Sequence, residues 1–214
     1  MIGEKIDAKH LNTKAASELL CAFSHLKTTP KCAIAVAGES GSGKTHMAAA
    51  LASEFEANGQ KVLLLHMDDF FKLPPAQNHQ NRLSDLNNVG PNEVDIPRLT
   101  SIVTAFKNNT YRISSPLVYY YEDRIEEEQH IVSNIDVLII EGTYAFYVDH
   151  LDFHLFMTRT YEETRELRAL RNRGNESYDP FIENVLAIEH QLVIAKREKA
   201  DAWIDYHFNL KCHV

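Results

Sequence analysis

Residues 32–45 read CAIAVAGESGSGKT, an apolar run that breaks into glycines and closes on Lys-Thr. Gly38 and Gly43-Lys44-Thr45 stand at the spacing G-x-x-x-x-G-K-[ST], and this motif restricts the fold more than any other feature of the chain. It requires a buried strand before it and a helix N-terminus after it. The glycines let the loop curl so that backbone N–H groups point inward at phosphate oxygens, and the helix adds the positive end of its dipole. The candidate nucleotide-binding residues are therefore Gly38, Glu39, Ser40, Gly41, Ser42, Gly43, Lys44, Thr45 and His46. Lys44 is expected to neutralise the β and γ phosphates, and the Thr45 hydroxyl to ligate Mg²⁺. The alternative, a strand-to-helix turn that binds nothing, leaves the agreement of motif and flanks unexplained.

The rest of the chain repeats the same alternation. Leu11, Ala15, Leu19, Leu20, Phe23 and Leu26 recur at helical spacing and predict a leading helix within residues 1–30. Strands are predicted at about 32–37, at KVLLLHM (61–67), at DVLIIEG (136–142), at FHLFM (153–157) and at the closing AWIDYHF (202–208). Helices are predicted from Lys44 to about Asn58, from about Ile96 to Phe106, over 161–174 and over 181–199. The Pro- and Asn-rich stretch 72–95 reads as a long loop, and 112–131 as a strand or hairpin. Apolar strands alternating with helices predict an α/β fold, a parallel sheet with helices on both faces, in a single domain spanning 1–214.

Charge narrows the partners. Acidic residues outnumber basic ones by 30 to 22, for a net charge of -8, so a phosphate-backbone footprint is not expected. Cys21, Cys32 and Cys212 are odd in number and lack CxxC spacing, which suits free thiols in a reducing cytoplasm. The opening MIGEKIDAKH carries charges where a secretion signal needs apolar residues, and no run approaches a membrane span. The expectation is a cytoplasmic protein that binds neither nucleic acid nor membrane, with a small-molecule acceptor as its partner and self-association left open.

Two acids and a basic helix complete the candidate site. Asp68 and Asp69 follow the apolar run 61–67, so their carboxylates should emerge at the same sheet edge as the loop. A carboxylate there accepts the proton of an attacking hydroxyl and helps to position Mg²⁺, which separates a kinase from a plain hydrolase. The competing reading of DDFF is an acidic strand end with two core aromatics. Glu141, ending LIIEG, is the best-placed second metal-side acid, although a lone acid after a strand is often a helix cap. His66 reads as a strand histidine with a partner rather than a catalyst.

GESGSGKT, HMDDFFK, DVLIIEGTYAFY and KADAWI, in this order over about 32–206, resemble the uridine kinase and phosphoribulokinase family. The resemblance implies a P-loop NTPase-type sheet with a short Arg-bearing lid over about 161–180, ATP and Mg²⁺ as cofactors, and phosphoryl transfer to a hydroxyl of a nucleoside-like small molecule. It carries the acceptor-side acid to Asp68 and the metal-side Glu to Glu141. It carries the lid cations to Arg165 and Arg168 by spacing, and to Arg171 and Arg173 approximately. It also points to Asp95 as a substrate-binding candidate, and Tyr119, Tyr120, Tyr121 and Arg124 are further candidates, although alternating tyrosines in a strand are more often half-buried packing. PLVYYYEDR is one residue shorter than the uridine-reading stretch P-x-Y-D-[FY]-x-x-H-x-R and has Glu122 in place of the histidine. Kinases of pantothenate or of a sugar derivative are therefore alternatives. So is a nucleotide switch, although EKAD at 198–201 lacks the amide that guanine reading needs, and no D-x-x-G follows LIIEG.

Overall fold

Strand β1 (Cys32–Gly38) has no polar side chain, and all seven of its residues are buried. The computed structural model describes residues 13–26, 31–170 and 179–212. It places β1 inside a six-stranded sheet with β2 (Val62–His66), β5 (Val137–Glu141), β6 (Phe153–Met157), β7 (Ala202–Ile204) and β8 (Leu210–Cys212), in the order β2-β5-β1-β6-β7-β8. Every pairing is parallel except β7 with β8.

Because side chains alternate along a strand, β1 feeds two cores. Ala33, Ala35 and Ala37 join a core containing Leu99, Val103 and Phe106 of α4 (Ile96–Lys107) and Val193 of α6 (Pro180–Ile194). Ile34 and Val36 join one containing Leu19 of α1 (Thr13–Leu26) and Leu51 and Phe55 of α2 (Lys44–Ala57). Helices thus cover both faces, as the alternation of apolar runs predicts. Each fully buried Leu or Phe contributes roughly 1.5–3 kcal/mol of transfer free energy.

The long loop expected at 72–95 is not one. It holds α3 (Pro75–Ser84) and single 3-10 turns at Leu86–Asn88 and Pro91–Glu93. Pro75 starts the helix, where its missing N–H is not needed. The asparagines serve as local ties: Asn88 Nδ2 donates to the Asn81 carbonyl at 2.9 Å. Arg82, in the last turn, bonds Glu93 at 2.6 and 2.9 Å and Glu189 of α6 at 3.2 Å. Tertiary ion pairing therefore stabilises a helix that local composition disfavours.

Residues 112–131 form a separate antiparallel hairpin of β3 (Arg112–Tyr119) and β4 (Arg124–Ile131), turning through Asp123 at φ 48°. Arg98 of α4 clamps it by bonding Glu127 at 2.6 and 3.0 Å. Two expectations at the chain's end need correction. Helix α6 stops at Ile194, with a 3-10 turn at Arg197–Lys199, rather than running to 199. The closing strand is only three residues long, because Asp205 accepts backbone N–H bonds from His207 and Asn209 and folds the chain back into antiparallel β8.

Candidate active site

The sheet register brings three strand ends together. Glu141 stands opposite Val36 of β1 on one side and His66 of β2 on the other. The Thr45 hydroxyl, in the first turn of α2, donates to Glu141 Oε1 at 3.1 Å, and His66 Nδ1 lies 2.7 Å from the same oxygen. Gly142 follows; a Cβ there would overlap the Met67 side chain, so glycine is what lets β5 leave the sheet beneath the turn that carries Asp68. Thr45 and buried Glu141 offer hard oxygen donors of the kind Mg²⁺ takes. Among the described residues no cage of three or more His, Cys, Asp or Glu side chains forms.

The glycine loop is curled as the motif requires. Lys44 Nζ donates to the Glu39 carbonyl at 2.9 Å, and the Ser42 N–H donates to the same carbonyl at 3.1 Å. Gly43 precedes α2 with φ 98°. The Ser42 hydroxyl is buried without a hydrogen-bond partner, an orphaned group in a loop whose spacing fits phosphate. His46 is exposed on the first turn of α2. Glu39 belongs to the loop by its backbone, but its buried carboxylate faces away from it: Oε2 accepts the Tyr161 N–H at 2.7 Å and Oε1 lies 2.8 Å from His190 Nδ1.

The start of the segment expected as a lid packs on this loop. The Thr164 hydroxyl donates to the Ser40 carbonyl at 3.0 Å, ahead of α5 (Arg165–Leu170). Arg168 is buried and donates to the Tyr161 carbonyl at 3.0 Å and to Glu183 at 3.1 Å, while Arg165 reaches Glu183 at 2.8 Å. Desolvation pushes the Glu183 carboxyl upward, but the hydrogen bonds from Arg165 and Arg168 outweigh it and bring the pKa below its ordinary value. Arg171 and Arg173 lie outside the described residues.

Asp68 and Asp69 sit in the 3-10 turn Met67–Phe70 and point to different tasks. Asp69 is buried and accepts the Val118 N–H at 3.1 Å, tying the hairpin to this turn. Asp68 lines a cavity of about 490 Å³ that also reaches Ser40 of the loop. Burial, and then the nearby Glu141 carboxylate, push its pKa above the ordinary carboxylate value, with Lys44 pulling the other way.

The same cavity is walled by Tyr120, one of the tyrosines the sequence offers as a substrate contact, and by Asn78, Arg82, Tyr144 and Glu189, which the motifs do not single out as site residues. Glu189 carried a signal, a polar residue on an apolar stripe, among buried Val185, Leu186 and Val193 of α6; Asn78 and Arg82 share one face of the polar helix α3 and carried none of that kind. The candidates Asp95, Tyr119 and Arg124 fall elsewhere. Asp95 caps α4, its Oδ1 accepting the Arg98 N–H at 3.1 Å, and is not among the cavity's lining residues. Tyr119 lies beneath the Arg124 guanidinium, 4.3 Å from its ring centroid, and Arg124 pairs with Glu122 and Glu126; their neighbours Val118 and Tyr120 line the cavity instead.

A parallel sheet, a phosphate loop at its carboxyl edge and a cavity running from that loop to an acid define the class of P-loop small-molecule kinases. The chain belongs to the Phosphoribulokinase / Uridine kinase family, whose family model matches residues 33–191. It is 30% identical over 179 residues, 78% of its length, to a bifunctional alpha-galactosidase/sucrose kinase of Mediterraneibacter gnavus, and it spans about a fifth (19%) of that relative. It is 27% identical over 156 residues to a uridine kinase of Ureaplasma urealyticum, covering 70% of this chain and 73% of that one. A solved structure described as a possible uridine kinase from Bacillus stearothermophilus shares the fold at TM-score 0.64 and 19% identity, covering 89% of this chain and 97% of its own. Among the described residues no helix is long and apolar enough to cross a membrane.

Proposed function

We propose that the chain is an ATP- and Mg²⁺-dependent kinase that transfers the γ-phosphoryl group to a hydroxyl of a nucleoside-like small molecule. The observation that carries this reading is the single cavity lined by both Ser40 of the phosphate loop and Asp68. Asp68 accepts the proton of the attacking hydroxyl, and its raised pKa makes it the stronger base. Lys44 binds the β and γ phosphates, and Arg165 and Arg168, on the helix that follows the loop-bound Thr164, offset charge spread over the transferring group. Thr45 and Glu141 would hold Mg²⁺, which neutralises charge on the phosphate oxygens when bound.

A second reading, a free carbohydrate as acceptor, is favoured by the sucrose kinase named in the Mediterraneibacter gnavus relative and by Glu122 replacing the uridine-reading histidine. A coupled ADP-release assay tests both. It compares uridine, cytidine, nicotinamide riboside, sucrose, fructose, pantothenate and glycerate, each with Mg²⁺ and with EDTA. Mg²⁺-dependent ADP release that requires one of these acceptors is the expected result. ADP release that no acceptor stimulates refutes the kinase reading.

A further inference from the structure

The cavity that reaches the phosphate loop also holds a buried polar cluster. Arg82 is the one permanently cationic side chain among the described residues lining the cavity, and both Glu93 oxygens already take its Nε and Nη2 at 2.6 and 2.9 Å. Its charge is thus cancelled before Glu189 is counted. Glu189 Oε1 sits 3.2 Å from Arg82 Nη2, and Asp68 adds a further carboxylate to the wall. Burial pushes the Glu189 pKa up while Arg82 and Lys44 pull it down; in either protonation state it offers no positive charge.

Tyr144 forms part of the same wall, is 1% exposed, and its hydroxyl has no hydrogen-bond partner. Burial first, and then the nearby Glu189, raise its pKa, so the hydroxyl keeps its proton and is available as a donor. A buried donor left unpaired in the free protein is costly, and a ligand that supplies the acceptor resolves it.

We propose that Tyr144 and Glu189 form a hydroxyl-reading subsite that selects uncharged polyhydroxylated acceptors and rejects carboxylated or phosphorylated ones. Tyr144 O–H donates to a substrate hydroxyl oxygen, and that hydroxyl's own proton is directed to the Glu189 carboxylate. An anionic group here faces Glu189 and Asp68, with Arg82 already paired to Glu93 and only the His79 imidazole as a further base on the described wall, and like-charge contact is an effective means of rejection. The inference rests on the kinase reading only in that the acceptor occupies the cavity lined by Asp68.

Calorimetric titration of the Mg²⁺-ADP-loaded protein with fructose, sucrose, uridine, glycerate and fructose 6-phosphate tests it, with ADP release measured in parallel. At least one uncharged probe is expected to bind ten times more tightly than either anion. Tyr144→Phe should weaken that probe about tenfold and raise its KM without moving the KM for ATP, the effect of losing one hydrogen bond. The unliganded Tyr144→Phe protein should melt no lower than the wild type, because the orphaned hydroxyl is gone. Glu189→Gln should weaken the same probe. Anions binding as tightly as the uncharged probes, no probe binding at all, or unchanged acceptor affinity in both variants overturns the subsite. Uncharged-probe binding without ADP release refutes the kinase reading and leaves the subsite standing; turnover of an anion alone does the reverse.

Discussion

Replacing Arg82 by methionine keeps most of the side-chain volume and removes the counter-ion of two buried carboxylates. The Glu93 side chain is 2% exposed and that of Glu189 11%, and both lie within 3.2 Å of the guanidinium. Breaking a buried pair from one side costs about 3–5 kcal/mol. That is a large part of the roughly 5–15 kcal/mol that holds a typical domain together. The sign of the pH dependence follows from burial. A carboxyl stranded in the interior has a folded pKa above its unfolded value, so the folded state holds the extra proton. The penalty is therefore fully present above the raised pKa and is lost as pH falls toward the ordinary glutamate value of 4.5. Between the two, each pH unit returns up to about 1.4 kcal/mol per carboxyl. Urea unfolding followed by Trp203 fluorescence, wild type against Arg82→Met, measures this at about pH 5, 6, 7 and 8. The difference in stability should be about 3–5 kcal/mol at the alkaline end and shrink by at least about 1 kcal/mol at the acid end. A difference below about 1 kcal/mol at the alkaline end, or one that does not change with pH, refutes the counter-ion argument.

Asp68→Asn should lower phosphoryl transfer by roughly 10²–10⁴-fold while ATP affinity stays near wild type, and retained turnover would remove Asp68 as the base. Lys44→Ala should weaken both nucleotide binding and transfer; an unaltered ATP dissociation constant argues against the phosphate-loop assignment. Gly41→Ala adds a Cβ 2.9 Å from Arg168 Cγ and Thr164 Oγ1 at φ +78°, where both neighbours are already hydrogen-bonded. The left-handed backbone alone costs roughly 1–2 kcal/mol and the crowding adds to it, so the melting temperature should fall by several degrees. An unchanged melting curve contradicts the packed geometry of the loop and the Thr164 segment.

The nucleotide half of the molecule was readable because its signals are local. β1 and β5 are continuous apolar runs, and the loop's glycines stand at fixed offsets within eight residues. The acceptor half depends on contacts distant in sequence. α3 looks like loop until Arg82 finds Glu93 and, 107 positions on, Glu189. Nothing in the dipeptide Asp68-Asp69 tells which acid faces the cavity, because the division depends on where Val118 of the hairpin arrives. Asp95 is the opposite case: an acid followed by Ile-Pro is a local helix-start signal, and Asp95 caps α4.

That division between Asp68 and Asp69 has an architectural consequence. One carboxylate opens on the cavity that reaches the phosphate loop; the next fastens the hairpin that supplies Val118 and Tyr120 to the cavity wall. Neighbouring Cα atoms are about 3.8 Å apart across a trans peptide, a spacing that barely varies. The offset between Asp68 and the fastening of that wall is thus set by one rigid peptide unit. A hairpin of different length or sequence can reshape the cavity while this shared peptide keeps it in gauge with the phosphate loop, much as a jig lets tools be exchanged without realigning the bench.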